Sequence, residues 1–64
     1  MKNKIRELRK LHDFRQEDLA TLLGVTRQTI NAIENEKYNP TLELAMKLAV
    51  LLRTTVEELF TLER

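Results

Sequence analysis

Apolar residues recur at helical spacing along most of the 64-residue chain, and no stretch alternates as a half-buried strand would. Ile5, Leu8 and Leu11 predict a first helix from about Lys2 to His12. The tripeptide Asp13-Phe14-Arg15 interrupts that pattern. A second helix follows over Gln16–Leu23, with an apolar stripe of Leu19, Ala20, Leu22 and Leu23. Glu17 and Asp18 suit the positive end of its dipole, and Gly24 accepts the left-handed conformation that ends it. Thr26 is a good cap for a third helix, in which Ile30 and Ile33 face inward. Val25 before that cap and Ile30 inside the helix make a hydrophobic staple. After the loop "NEKYNP", Thr41, or Asn39 with Pro40 in the first helical position, opens a fourth helix. Leu42, Ala45, Met46, Leu48, Ala49 and Leu52 are expected to form its core face. "TTVEELF" reads as a short fifth helix, with Thr55 and Glu58 at capping-box spacing and Val56, Leu59 and Phe60 turned inward.

Composition narrows the class. One Gly and one Pro in the whole chain argue against a turn-rich β fold and for an all-α one. Residues 1–64 are read as one domain, with no repeat or linker. A chain this short buries only about 60% of the surface its unfolded form exposes. With no Cys, neither a disulfide nor a thiolate-held zinc can staple it. Stability must come from a compact apolar core. No apolar run approaches the roughly 20 residues of a membrane span, and no apolar segment follows the basic start as in a secretory signal. A cytoplasmic location is expected, with no membrane partner. His12 is the only His and is expected to cap the first helix or face solvent. No Gly-rich phosphate loop, catalytic triad or metal-ligand cluster is evident, so neither enzymatic chemistry nor a cofactor or metal is expected.

Net charge of +1 says little, but its distribution says more. Residues 1–15 carry Lys2, Lys4, Arg6, Arg9, Lys10 and Arg15 against only Glu7 and Asp13, whereas residues 41–64 carry three basic and four acidic side chains. The imbalance suggests an anionic partner on the N-terminal side, or simply a solvated basic helix. The segment "GVTRQTINAIENE", residues 24–36, is unusual in another way. Its outward positions are Arg, Gln and Asn, although exposed helix faces ordinarily use Glu and Lys and Asn is a poor helix former.

Two short helices joined by a tight turn at Gly24 make a helix-turn-helix candidate over residues 16–35. Counted from Gln16, apolar Leu19, Leu23, Val25, Ile30 and Ile33 fall at positions 4, 8, 10, 15 and 18. Small Ala20 stands at position 5, where the helices must approach closely, and Gly24 at position 9, where the chain must turn. The run "QEDLATLLGVTRQTINAIENEKYNPTLELAMKLA" strongly resembles the phage-repressor-like (Cro/repressor, or Xre) helix-turn-helix domain, and the resemblance extends from about Ile5 to Phe60. It implies a compact five-helix, lambda-repressor-like bundle that binds double-stranded DNA with its third helix in the major groove. On that basis Arg27 is expected to read guanine and Gln28 adenine, each by two-pronged hydrogen bonds. Asn31 projects from the same face, and Ala32 is short enough to touch a thymine methyl. The alternative for Arg27 and Gln28 is plain surface.

The resemblance also implies phosphate contacts from Gln16 at the start of the second helix, from Thr26 or Thr29, and from Asn35, Lys37 and Tyr38 at the far end of the third. Thr26 serves equally as a cap, and Tyr38 as a packing residue. Arg9 and Glu34 match positions where the family commonly forms a partly buried ion pair. Three positions depart from the pattern. Arg15 stands where Ser or Thr usually caps the second helix, so Asp13 or water would have to serve, and Arg15 itself is offered to phosphate. Glu36 stands where Gly often follows, so Asn35 turns left-handed or Glu36 is strained. Arg53 replaces a common Gly or Asn.

The function expected is that of a sequence-specific transcriptional regulator, a repressor acting as a homodimer on a palindromic operator. Leu51, Val56, Phe60 and Leu62 are candidates for the dimer surface. One alternative is an antitoxin that represses its own operon, although no spare toxin-binding segment is seen beyond residues 61–64. Another is an interaction module that reuses the fold for an unidentified protein partner.

Overall fold

The computed structural model describes residues 1–62. It contains β1 (Lys2–Asn3), α1 (Ile5–Leu11), α2 (Gln16–Leu23), α3 (Arg27–Glu34), α4 (Leu42–Leu51), α5 (Val56–Leu59) and β2 (Phe60–Thr61). The five helices enclose a core of Ile5, Leu19, Ala20, Ile30, Ile33, Leu48, Leu52, Leu59 and other buried side chains, so every helix contributes to it.

The N-terminus departs from expectation. Lys2–Asn3 is not helical but pairs antiparallel with β2, with Lys2 opposite Thr61 and Asn3 opposite Phe60. The Lys4 N–H extends the pairing by donating to the Leu59 carbonyl at 2.9 Å. Asn3 explains why the helix waits until Ile5. Its Oδ1 accepts from the Ile5 N–H at 3.1 Å, a local bond that competes with helix, and its Nδ2 donates to the Ile33 carbonyl at 2.8 Å. Asn3 thus ties the start of the chain to the end of α3.

Helix starts follow side-chain chemistry. Thr26 Oγ1 accepts from the Thr29 N–H at 3.2 Å, Thr41 Oγ1 from Leu44 at 3.2 Å, and Thr55 Oγ1 from Glu58 at 3.1 Å. Thr41, and not Asn39, therefore opens α4. Arg15 has no acceptor to offer its helix. Asp18 supplies the bond from the other side, its Oδ2 accepting from the Arg15 N–H at 2.8 Å. The residue expected to serve, Asp13, instead ends α1.

The helix ends share one solution. After α1, α2, α3 and α4 the chain turns through a residue at positive φ: Asp13 (59°), Gly24 (71°), Glu36 (61°) and Arg53 (55°). Each is followed by the paired reverse bonds of a Schellman motif, such as Lys37 N–H to the Ala32 carbonyl at 2.9 Å and Glu36 N–H to Ile33 at 3.0 Å. Asn35 keeps φ at −90°, so Glu36 takes the left-handed position.

On α4 the buried face is Ala45, Leu48 and Ala49, continued by Leu52 at the helix cap. Leu42 and Met46, expected in the core, are exposed and line up with Val50 on the outer flank. Leu11 and Leu22 are also exposed, which trims the predicted stripes of α1 and α2.

Candidate nucleic-acid interface

Three inward residues fix α3. Ile30 and Ile33 are buried in the core, and Val25 packs against the same core at the entry, as the staple requires. The third is Glu34, whose side chain has no solvent exposure. Its Oε2 accepts from Arg9 Nε at 2.7 Å. Its Oε1 accepts from Arg9 Nη2 and Arg6 Nε at 3.3 Å each and from Gln16 Nε2 at 3.1 Å. Arg9 Nη1 also donates to the Phe14 carbonyl at 3.1 Å. One carboxylate thus joins α1, the start of α2 and the end of α3. Burial alone would raise the Glu34 pKa, but the donors from Arg9, Gln16 and Arg6 outweigh it and hold the carboxyl below its ordinary range.

The ion pair of Arg9 and Glu34 was legible in the sequence, whereas Arg6 and Gln16 as its partners were not. Arg6 lies one turn before Arg9 on the same face of α1, which is the signal that would have singled it out.

The opposite face of α3 is polar. Arg27, Gln28 and Asn31 are exposed, and with Gln16 they line a cleft of about 280 Å³. Among the described residues neither Arg27 nor Gln28 has a hydrogen-bond or ion-pair partner. An adjoining cleft of about 400 Å³ is lined by Arg9, Arg15, Gln16, Glu17 and Arg27. The first turns of α2 and α3 therefore open onto one surface, rich in donors. Ala32 is half-buried one turn beyond Gln28.

Of the remaining candidates, Arg15 lines the second of these clefts and the others line neither. Thr26 and Thr29 share a hydroxyl–hydroxyl bond of 3.0 Å while Thr26 caps the helix. Asn35 donates from Nδ2 to Asn31 Oδ1 at 3.1 Å and accepts from Arg6 Nη2 at 2.9 Å. Lys37 and Tyr38 are exposed after the helix, and Tyr38 lines a separate cleft with Thr29 and Thr41. Arg15 is exposed and pairs with Asp18 at 3.2 Å and Glu17 at 3.9 Å. The side-chain bond to Asp18, more than the charges around it, raises the Arg15 pKa, whereas the Asp18 carboxyl is lowered first by the Arg15 backbone N–H and then by the Arg15 side chain.

The four apolar candidates near the C-terminus do not form one patch. Val56, Phe60 and Leu62 line a groove of about 620 Å³ with Leu42 and Pro40, and Phe60 contributes little surface because it is buried in the core. Leu51 lines another groove, of about 310 Å³, with Leu22, Met46 and Val50.

A short helix pinned by its apolar side beside a second helix, with its polar side offered outward at the first turn, is the helix-turn-helix arrangement. The chain belongs to the Cro/repressor-like (Xre) helix-turn-helix family, whose pattern, described as "Helix-turn-helix", matches residues 5–59. An uncharacterized HTH-type transcriptional regulator of Methanocaldococcus jannaschii is 52% identical over 63 residues, covering 98% of this chain and 96% of the relative. Another, YgzD of Bacillus subtilis, is 46% identical over 98% of this chain and 96% of its own length. Control protein C.SmaI of Serratia marcescens is 35% identical over 89% of this chain and 68% of its own. The family is one of transcriptional regulators and not of enzymes. Among the described residues no group of His, Cys, Asp or Glu is arranged to hold a metal ion, and no helix is long and apolar enough to cross a membrane.

Proposed function

We propose that the protein is a sequence-specific regulator of transcription that binds double-stranded DNA by laying α3 in the major groove, and that it represses by occluding its operator. The observation that carries this reading is the unpaired state of Arg27 and Gln28 at the first turn of α3, beside the start of α2. Exposed donors with no internal partner are suited to an external acceptor. Arg27 offers a fork to guanine O6 and N7, and Gln28 offers a donor and an acceptor to adenine N7 and N6. Asn31 and Ala32 lie one turn on and complete the reading face.

Phosphate contacts flank it. Gln16, Thr26, Thr29, Asn35, Lys37 and Tyr38 are the proposed contacts, and Arg15 exchanges its exposed acidic partners for phosphate. These contacts set register without reading sequence. Glu34 supports the reading indirectly: it fixes α3 against α1 and α2, so base-reading and phosphate-gripping groups approach DNA as one rigid unit.

Two copies on a palindromic operator complete the proposal. A monomer of this size contacts few bases, and pairing multiplies both affinity and specificity. The groove of Val56, Phe60 and Leu62 is the proposed dimer surface, with Leu51 on its neighbour. Selection of bound duplexes from a random pool tests the reading. A two-fold symmetric site with half-sites about one helical turn apart is expected. Recovery of unenriched sequence from repeated rounds contradicts it.

A further inference from the structure

Three side chains form a hydrogen-bonded chain from α1 to the outward face of α3. Arg6 Nη2 donates to Asn35 Oδ1 at 2.9 Å, and Asn35 Nδ2 donates to Asn31 Oδ1 at 3.1 Å. Arginine carries donors and no acceptor. Asn35 must therefore turn its oxygen to Arg6 and its NH₂ to Asn31. Asn31 must then turn its oxygen to Asn35, which leaves its own NH₂ for the groove. The direction of both amides follows from the donor-only chemistry of a residue on another helix. Arg6 is itself anchored, its Nε donating to the buried Glu34 carboxylate at 3.3 Å.

We infer that Arg6 and Asn35 are positioning residues for base selection: they hold Asn31 as a hydrogen-bond donor, so that α3 favours guanine or thymine, whose edges accept, over cytosine, whose edge only donates, where Asn31 meets the groove. The inference rests on the DNA-binding reading above. In the major groove guanine O6 and N7, thymine O4 and adenine N7 accept, whereas adenine N6 and cytosine N4 donate, so cytosine alone offers a donor and no acceptor. An asparagine free to turn over serves either kind of edge. Held as a donor, it meets cytosine donor to donor and leaves both groups unsatisfied. Asn31 lies on the cleft it shares with Arg27 and Gln28, so its selectivity adds to theirs.

The test is selection from a random duplex pool with the full chain and three variants. Asn31→Ala identifies the base position concerned, as the one whose preference disappears. At that position the unaltered protein is expected to favour G or T over C by about tenfold, the weight of one good contact. Arg6→Met removes the direction and is expected to reduce the preference to about twofold or less. Asn35→Asp supplies only acceptors, so it keeps Arg6 bound, turns the Asn31 amide over, and is expected to invert the preference toward C over G or T. The Asn35→Asp variant keeps the anchoring of α3, so it remains informative if Arg6→Met unfolds. An unchanged preference in Asn35→Asp overturns the inference, as does an Asn31→Ala selection identical to that of the unaltered protein. Failure of the unaltered protein to enrich any sequence overturns the DNA-binding reading itself and is distinguishable from both.

Discussion

Arg27 and Gln28 have no internal partners, so replacing them should leave the fold alone and change only what α3 recognises. Arg27→Ala and Gln28→Ala are each expected to cost about 1–3 kcal/mol on the specific duplex and to relax preference at one base pair. Fluorescence anisotropy on the cognate duplex and single-base variants measures both effects, while unchanged melting temperatures confirm the fold. Glu36 is the converse case, a residue whose change affects stability alone. Its φ of 61° is costly for a side chain with a Cβ and costs Gly nothing sterically. Glu36→Gly is expected to stabilise the protein by up to about 1 kcal/mol, read from urea unfolding midpoints at constant slope. The departure at Glu36 was visible through the family resemblance, because Gly often follows the Ile-Glu-Asn ending there. Which of Asn35 and Glu36 bears the left-handed turn was not, since it depends on Lys37 reaching back to Ala32.

Among the elements, the contact between α1 and α3 depends most on one group. Glu34 is buried with Arg9 nearly so, the Arg9 side chain being 12% exposed. Glu34→Ala strands that charge and should cost about 3–5 kcal/mol. Protonation acts on the same group. The folded carboxyl titrates below its unfolded value of about 4.3. Its contribution is therefore complete above that pH and is lost as pH falls through the folded pKa. The stability difference between the unaltered protein and Glu34→Gln should narrow as pH drops from about 5 toward 2. Thermal unfolding across that range measures it, and a constant difference contradicts the assignment.

Legibility at this scale follows the range of the forces involved. The caps at Thr26 and Thr55 and the stop at Gly24 are local and could be read directly, while at α4 the sequence left Thr41 and Asn39 both open. The pairing of Lys2–Asn3 with Phe60–Thr61 could not, because two residues carry no periodicity and the partners lie at opposite ends of the chain. The face of α4 was misassigned at Leu42 and Met46 for another reason. Apolar residues occur nearly all round that helix, so spacing alone does not choose the buried side. Arg6 and Gln16 converge on Glu34 only once three helices are assembled.

The whole molecule measures 32 Å along its longest axis, close to one turn of B-DNA at about 34 Å. The proposal at this scale is a dimer, two such copies on half-sites about one helical turn apart. Sedimentation with and without operator tests it: a dimer at micromolar concentration or on DNA is expected, and a monomer under both conditions removes the proposal. Charge acts at this scale as well. Lys37→Ala removes a group expected to meet phosphate, so it should weaken all sequences alike and reduce the slope of log K against log salt by about one.

The central claim is that the outward face of α3 reads base edges, and it is tested by one paired titration. The unaltered protein and the Arg27→Ala, Gln28→Ala double variant are each measured against a selected operator and a scrambled duplex at physiological salt. The unaltered protein should prefer the operator by about 10³-fold or more. The double variant should lose most of that preference while keeping its affinity for scrambled DNA within a few fold. Equal affinity of the unaltered protein for both duplexes, or full retention of the preference by the double variant, contradicts the account.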